Sequence, residues 1–338
     1  MIDRMMTPLG LLLACLAVGS APERGTLVVT NMNDNTATVI DLASRTVRAT
    51  LPTGLGPHEV AASHSGQWAV VTNYGVRGKP GNTLTVIDLT TATVARTIDL
   101  GEYQRPHGIK FFPGDSLLVV TSEASKAVLV VEFATGRVVG TVSTERPASH
   151  MLALAANAEL LYTTNVGDGS VTAINPKART TGPVTPVARF VEGLAITPDG
   201  KQVWVGSNGD SIVVVLDTES GRAVDTLRGF GMPYRLAITP DGETAIITDP
   251  AKAEVRIVDV QSRKERFRVS VPADSVLSTA EFPGSASPEG VAAGANGFAY
   301  ITLQGRNQAA GIDLSTGKIL WRLPVGAWPD GIAYARAR

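Results

Sequence analysis

The chain has 338 residues, 44% of them hydrophobic and 18% charged, a composition that excludes an intrinsically disordered protein. Its 30 Lys and Arg residues nearly balance its 31 Asp and Glu residues. No long basic run occurs, so we expect no nucleic-acid partner. The single cysteine, Cys15, lies near the N-terminus, which excludes a disulfide or a thiolate metal site in the rest of the chain.

Residues 1–25 have the pattern of a secretory signal peptide. An apolar run at residues 9–18 is followed by the small residues Gly19, Ser20 and Ala21. The run is too short to span a bilayer as a helix, so we expect no transmembrane segment. The segment predicts an exported protein, periplasmic or extracellular. Residues 12–15 (LLAC) could instead form a lipobox, which would leave the protein lipid-anchored through Cys15.

From residue 26 onward the chain consists of repeats. Residues 194–200 (LAITPDG) recur as residues 236–242, and Asp217 recurs as Asp259, at a period of about 42 residues. Within each repeat, short runs rich in Val, Ile, Leu and Thr alternate with turn sequences such as Pro-Asp-Gly. Four short strands in a repeat of this size are typical of one β-propeller blade.

The number of blades follows from a polar residue that ends the third strand of each repeat. It occurs at Asp41, Asp88, Glu132, Asn175, Asp217, Asp259 and Asp313. The two longer spacings have visible causes, an extended segment at residues 75–82 and an insertion at residues 274–287, both expected in loops.

The two ends of the repeat region complete one blade together. Residues 26–31 (TLVVTN) match the second strand of other repeats, and residues 330–335 match their first strand. The sequence therefore predicts an all-β, seven-bladed β-propeller over residues 26–338. Its blades are four-stranded, and the ring is closed by a blade shared between the N- and C-terminal strands.

The segments VVTN, VVTNYG and YTTN, followed by strands such as TVIDL, resemble the YVTN-repeat β-propeller family. The resemblance covers residues 26–335 and implies the propeller fold. It implies no particular reaction, because the family includes surface-layer and other exported proteins that share none. In size and architecture the chain is also similar to the seven-bladed lactonases, but its repeat motifs are nearer the YVTN type, and the lactonase catalytic residues are not carried over to any position of this sequence.

One position of the repeat collects the candidate site residues. At the start of the innermost strand, and so in a ring at one mouth of the central channel, we expect His58, His107, His150, Glu192, Tyr234, Glu289 and Asp330. Three histidines on consecutive blades could hold zinc or copper, and the carboxylate side would suit calcium or a cationic ligand. Alternatively, these side chains are only the solvated lining of the channel.

A second repeated position follows the second strand, at Asn31, Asn73, Ser122, Asn165, Asn208, Asp249 and Gln304. Asn and Asp tolerate left-handed backbone and bond to their own turns, which predicts a structural role. The acidic series from Asp41 to Asp313 is expected to bond backbone N–H groups of the next hairpin.

No nucleophile elbow of the Gly-x-Ser-x-Gly type and no phosphate loop occurs. The sequence therefore favours a binding or scaffold module, without catalysis, that uses one face of the channel to hold a protein or a small molecule. We expect a monomer. The alternative hypothesis is a metal-assisted hydrolase of the lactonase kind, or a redox or metal-binding protein, that uses the ring at the mouth.

Overall fold

The computed structural model describes residues 23–272, 282–295 and 297–337. Its strands form seven antiparallel sheets of four strands each. The innermost strand of every sheet contacts the innermost strands of both neighbouring sheets, so the sheets are the blades of a closed propeller. The predicted all-β, seven-bladed fold is confirmed. Residues 1–22 of the predicted signal segment, with Cys15, lie outside the described residues, and the signal peptide stays a prediction.

The strands are numbered in chain order, and consecutive groups form the blades. The first three strands are β1 (Thr26–Asn31), β2 (Thr36–Asp41) and β3 (Thr46–Pro52). Blade 2 contains β4 (Pro57–Ala62), β5 (Trp68–Val76), β6 (Lys79–Asp88) and β7 (Thr93–Asp99). Blade 3 contains β8 (Pro106–Phe111), β9 (Leu117–Ser122), β10 (Ala127–Glu132) and β11 (Val138–Ser143). Blade 4 contains β12 (Ser149–Leu154), β13 (Leu161–Asn165), β14 (Ser170–Asn175) and β15 (Thr180–Pro186).

The remaining blades follow the same order. Blade 5 contains β16 (Val191–Ile196), β17 (Gln202–Ser207), β18 (Ile212–Asp217) and β19 (Ala223–Leu227). Blade 6 contains β20 (Leu236–Ile238), β21 (Thr244–Asp249), β22 (Glu254–Asp259) and β23 (Glu265–Ser270). Blade 7 contains β24 (Pro288–Ala293), β25 (Phe298–Leu303), β26 (Gln308–Asp313) and β27 (Lys318–Pro324). The last strand is β28 (Pro329–Ala335), and short 3₁₀ helices lie at Pro250–Lys252 and Gln304–Arg306.

Blade 1 is shared between the two ends of the repeat region, as predicted. The strand β28 pairs antiparallel with β1, with Thr26 opposite Ala335 and Val28 opposite Ala333. The order of strands in this sheet is β28, β1, β2, β3, so β28 supplies the innermost strand. The chain thereby closes its own ring and leaves no blade with an exposed inner edge.

The core lies between neighbouring blades. The middle strands have near-continuous apolar runs, such as LLVVTS in β9, because both faces of each blade are covered by neighbours. One cluster, for example, joins Val70 and Leu84 of blade 2 to Ile109 and Leu118 of blade 3. The outermost strands, such as β3, are largely exposed.

The structure differs between the two segments that lengthen the repeat, at residues 75–82 and 274–287. The segment predicted as an extended loop at residues 75–82 is mostly strand, because β5 and β6 continue their ladder to the pair Val76 and Lys79. Much of the predicted insertion at residues 274–287 lies outside the described residues. Of the part that is described, Ser285 makes an isolated bridge to Pro272.

The acidic series forms the predicted hairpin bonds. Asp41 accepts a hydrogen bond from the backbone N–H of Ser44 at 2.8 Å, and Asp259 accepts one from Ser262 at 2.7 Å. At the second repeated position, the predicted bond to the residue's own turn occurs at Asp249, which accepts from the backbone N–H of Lys252 at 3.2 Å, but it does not occur at Asn31. Asn31 lies inside β1, and its amide donates to the hydroxyls of Thr36 and Thr38 on β2 at 3.0 and 2.9 Å. The left-handed backbone occurs instead within the turns, as at Asn35.

The described ranges contain no helix that is both long enough and apolar enough to cross a membrane.

Removing β28 should open the ring. A chain that ends at Ala327 loses the strand paired with β1 and the contacts that β28 makes with β4 and β24. We expect this variant to aggregate, because two sheet edges and the apolar faces beside them become exposed. Size-exclusion chromatography and soluble yield measure the effect. The matched control ends at Ala335 and keeps the whole strand. A soluble, monomeric chain ending at Ala327 with an unchanged melting temperature would contradict the prediction.

Candidate functional site

The predicted ring residues stand at equivalent places of the fold. Six of them are the second residue of an innermost strand, as His58 is in β4 and Asp330 is in β28. Tyr234 is the exception, because the short strand β20 begins only at Leu236. We use the name histidine mouth for the channel mouth formed by His58, His107, His150, Glu192, Tyr234, Glu289 and Asp330.

A β-bulge sets the position of these residues. In β4 the register of the ladder to β5 shifts between Pro57 and Val60, and equivalent shifts occur in the innermost strands β8, β12, β16, β24 and β28. The N–H that the bulge releases is bound by a threonine of the second strand: Thr72 accepts it from Glu59 at 3.0 Å, and Thr164 accepts it from Met151 at 3.1 Å. The bulge thus turns one side chain of each strand toward the mouth.

The same threonine position also joins neighbouring blades. Thr30 of blade 1 donates to the carbonyl oxygen of His58 in blade 2 at 2.6 Å. Thr121 does the same for His150 at 2.6 Å, and Thr248 does so for Glu289 at 2.7 Å. Each of these hydroxyls therefore fixes the backbone at a ring residue of the next blade.

The three histidines are stacked, with His107 in the middle. The centroid of its ring lies 3.6 Å from that of His150 and 4.9 Å from that of His58. Tyr74 meets His58 and His107 edge-on, with centroids 4.6 and 5.5 Å apart. Burial, together with the neighbouring histidines and Arg235, holds the pKa of His107 well below its usual value, so this imidazole is neutral.

His150 lies between two carboxylates. Its Nδ1 is 3.2 Å from Glu123, and its Nε2 is 2.8 Å from Glu192. Burial lowers the pKa of His150, but the charge of Glu192 and the hydrogen bonds to both carboxylates outweigh it and raise this pKa to about 10. His150 is therefore an imidazolium at neutral pH. The pKa of Glu192 falls to about 2 despite its burial, because His150 and Arg235 both lie against it.

Arg235 crosses the channel. It lies in blade 6, and its guanidinium binds Glu192 of blade 5 at 2.6 Å and Glu59 of blade 2 at 3.0 Å. Its side chain is 4% exposed, so both ion pairs are shielded from solvent. We call the contact between Arg235 and Glu59 the channel strut, because it connects strands on opposite sides of the ring.

The other carboxylates of the histidine mouth have their own contacts. Asp330 Oδ2 lies 2.8 Å from Nδ1 of His58. Glu289 accepts a hydrogen bond from Gln304 at 2.6 Å. The ring of Tyr234 lies under the guanidinium of Arg235, 4.2 Å from its carbon. The structure thus brings His58, His107, His150, Glu192 and Asp330 into one contact network, and it places Tyr234 and Glu289 beside that network.

Some buried polar atoms of this network have no hydrogen-bond partner among the described residues. They are both ring nitrogens of His107 and Oδ1 of Asp330. Each of these residues is only 1% exposed. A buried polar atom without a partner costs free energy, so these atoms mark unused binding capacity.

The arrangement gives the metal hypothesis no support. Within the ranges that the structure describes, no group of three or more His, Cys, Asp or Glu side chains is arranged to hold a metal ion. His150 in particular directs both ring nitrogens at carboxylates, and as an imidazolium it has no lone pair to donate. Metal binding by His58, His107 and His150 stays a prediction.

Sequence reasoning missed several residues of this network, namely Glu59, Glu123, Tyr74 and Arg235. The signal for Glu59 and Arg235 lay in the repeat itself, one position after the ring residue. That position is glycine in four blades, at Gly108, Gly193, Gly290 and Gly331. A Cβ on Gly331 would lie 2.3 Å from the carbonyl oxygen of His58, so glycine is required there. Glu59 and Arg235 therefore differ from the repeat by having charged side chains at this crowded position.

No known protein-family profile matches the chain. A stretch of 124 residues is 32% identical to the seven-bladed beta-propeller protein Rv1057 of Mycobacterium tuberculosis. The match covers 36% of this chain and 32% of that protein, so the chain matches about a third of the length of this relative.

Solved structures show the same fold at low identity. Hydrazine synthase of Kuenenia stuttgartiensis matches with a TM-score of 0.68 and 17% identity, over 90% of this chain and 94% of that one. A functionally unknown protein of Desulfotomaculum acetoxidans matches with a TM-score of 0.73 and 14% identity, over 93% of this chain and 100% of that one. These similarities show the propeller fold alone.

Removing the channel strut should destabilise the protein strongly. An Arg235→Met substitution leaves Glu192 and Glu59 partly buried and without their guanidinium. Breaking a buried ion pair on one side typically costs about 3–5 kcal/mol. Urea denaturation measures this cost. The control is Arg189→Met, because the pair of Arg189 with Asp210 is exposed and worth about 0–1 kcal/mol. Equal losses in the two variants would show that the strut is not stabilising.

The charge of His150 predicts a pH dependence of stability. The folded-state pKa of His150, about 10, lies above its usual value of 6.5. The stabilisation is therefore complete below pH 6.5 and is lost as the pH rises toward 10, by at most about 1.4 kcal/mol per pH unit. Between pH 7 and 9.5 the stability of the wild type should fall relative to that of a His150→Gln variant.

Urea midpoints at several pH values measure this difference. The groups that face His150 are Glu123, Glu192, Arg235 and His107, and they keep their charge state in this range, as does Tyr74, whose pKa is raised to about 12. Groups elsewhere, such as Lys110, titrate in both proteins and cancel in the comparison. Parallel curves for the two proteins would show that His150 is neutral in the folded state.

Proposed function

We propose that the chain is a YVTN-repeat propeller that binds a small organic cation at the histidine mouth and has no catalysis of its own. A seven-bladed propeller is a fold that supports binding and scaffold modules, and the repeat sequence supports membership of this family. The observation that carries the proposal is the unused hydrogen-bonding capacity of His107 and Asp330.

The charge of the mouth favours a cation. Its carboxylates outnumber its cations, even with Arg105, which lies over the ring of Tyr74, counted among them. Arg235 and the protonated His150 share Glu59, Glu123 and Glu192. Asp330 accepts its side-chain hydrogen bond from His58, and its second oxygen has no hydrogen-bond partner among the described residues. An ammonium or guanidinium group supplies the N–H donors that this oxygen lacks.

The neutral His107 adds a hydrogen-bond donor and an acceptor for the ligand. A neutral imidazole has one donor and one acceptor nitrogen, and neither is used by the described residues. His58 connects the two groups, because it lies against His107 on one side and Asp330 on the other. A ligand that joins an amine to a hydroxyl or carbonyl group could therefore satisfy both residues at once.

Isothermal titration calorimetry with a panel of amines tests the proposal. The panel contains spermidine, ethanolamine and arginine methyl ester, with calcium and zinc chloride beside them. We expect at least one amine to bind and its affinity to fall at least tenfold in Asp330→Asn, because the neutral amide keeps the shape but loses the charge. The control is Asp259→Asn, whose carboxylate bonds only a surface hairpin. It should bind as the wild type does.

Other outcomes contradict the proposal. If no amine binds, or if Asp330→Asn binds as tightly as the wild type, the mouth is not a cation site. If zinc binds and the protein then hydrolyses lactones or esters, with turnover lost in a His58 and His107 double alanine variant, the enzyme hypothesis replaces it.

A further inference from the structure

The lumen of the channel contains a second feature, separate from the histidine mouth. A cavity of about 310 Å³ is lined by the innermost strands around the ring, from Val60 in blade 2 to Tyr334 in blade 1. The side chains of the residues that line it are apolar except for those of Lys110 and Tyr334. Cavities of this size and character are at the lower end of the range that binds small molecules.

Lys110 breaks a regular pattern in the repeats. It stands three positions after the ring residue of its blade, and the other blades all have alanine there: Ala61, Ala153, Ala195, Ala237, Ala292 and Ala333. Alanine at this position gives the lumen a smooth apolar wall. A lysine there places an ammonium group in that wall, which lowers stability unless the charge has a partner or reaches water.

No ion pair in the described part of the chain holds this charge. Lys110 has no hydrogen bond or salt bridge there, and its side chain is exposed to the lumen. The carboxylate that acts on it, Glu59, already binds Arg235 at 3.0 Å. The surrounding walls lower the pKa of Lys110, and Glu59 opposes this only in part. With Glu59 already paired to Arg235, Lys110 is the cation of the lumen that has no ion pair among the described residues.

The channel strut marks the inner end of the larger cavity. A smaller cavity of about 60 Å³ continues beyond Lys110 toward the histidine mouth, and Glu59 and Arg235 line it together with Lys110. The larger cavity lies on the other side, toward the ends of the innermost strands at Ala62, Leu154 and Ile196. A ligand in the larger cavity would therefore meet Lys110 at its inner end and apolar side chains along its length.

We propose that the lumen binds a small aliphatic carboxylate, with the carboxylate paired to Lys110 and the apolar chain against the alanine wall. The anion supplies the missing partner for the ammonium group, and a charge-assisted bond in these apolar surroundings is stronger than one in water. The chain of the ligand removes apolar lumen surface from water. This site differs from the proposed cation site in its position, in the sign of its charge and in its ligand, so it does not rest on that proposal.

Calorimetric titration with hexanoate and octanoate tests the inference, with 1-hexanol and hexylamine as matched probes. We expect saturable binding of the carboxylates, tighter for octanoate, and at least tenfold weaker binding of the alcohol and the amine. Lys110→Ala should lose at least tenfold in carboxylate affinity. This variant should fold, because alanine is the residue at this position in the other blades, and its melting temperature verifies that.

Two controls separate the lumen from other surfaces. Lys201→Ala removes an exposed lysine of the turn between β16 and β17 and should leave carboxylate binding unchanged. Asp330→Asn alters the histidine mouth and should also leave carboxylate binding unchanged. Failure of one proposed site can therefore be distinguished from failure of the other. Absence of carboxylate binding up to millimolar concentration, equal binding of hexanoate and hexanol, or undiminished binding by Lys110→Ala would overturn the inference.

Discussion

A single hydroxyl group, repeated around the ring, holds the channel together. In each VVTN-like strand the threonine binds the N–H that the bulge frees, the carbonyl of the next blade, or both, as Thr164 and Thr302 do. One such bond contributes about 1 kcal/mol, so the effect comes from repetition at equivalent positions. In blade 5 a glycine, Gly206, replaces the threonine. A Cβ there would lie 2.3 Å from the carbonyl oxygen of Pro233, so the neighbouring chain approaches too closely for a side chain.

This hydroxyl ring explains why charged groups can be placed so closely at the mouth. The backbone at each ring residue is fixed on both sides, so the side chains cannot move apart to relieve repulsion. The alternation of charge relieves it instead: Glu123, His150, Glu192, Arg235 and Glu59 form a continuous series of contacts across five blades. Buried ion pairs are weak evidence for stability compared with apolar packing. The series is better understood as the element that fixes which side chains face which, and it leaves His107 neutral at its centre.

The fold was predictable from the sequence because every blade repeats the same local information. The turn residues, the apolar runs and the matching terminal strands each specify the same ring, so an error in one repeat does not alter the count. The sets of residues at the two repeated positions were also predictable, since the rotation that relates the blades places equivalent residues in one ring. The contacts within them were not. Arg235 and Glu59 are 176 positions apart and meet only because the channel is narrow.

Local propensity was misleading at one position. Asn31 and Asn73 have a turn-forming side chain, yet they remain in the strand because two threonine hydroxyls of the neighbouring strand accept their amide hydrogens. Those hydroxyls belong to the TVID-like strand, so the pair of motifs specifies the bond and neither does so alone. The charge of His150 was likewise beyond the sequence, because it depends on two carboxylates from different blades and on the depth of their burial.

The departures from the repeat are concentrated along the channel axis, and they divide it into two regions of opposite character. A ring of equal blades would give a uniform apolar tube with one polar mouth. The strut between Arg235 and Glu59 instead separates an acidic mouth from a lumen whose remaining charge is Lys110. The other blades mostly have alanine and glycine at these positions, so the repeat itself does not require a charged side chain there. Ligands that approach from the two ends, as proposed above, would account for both departures.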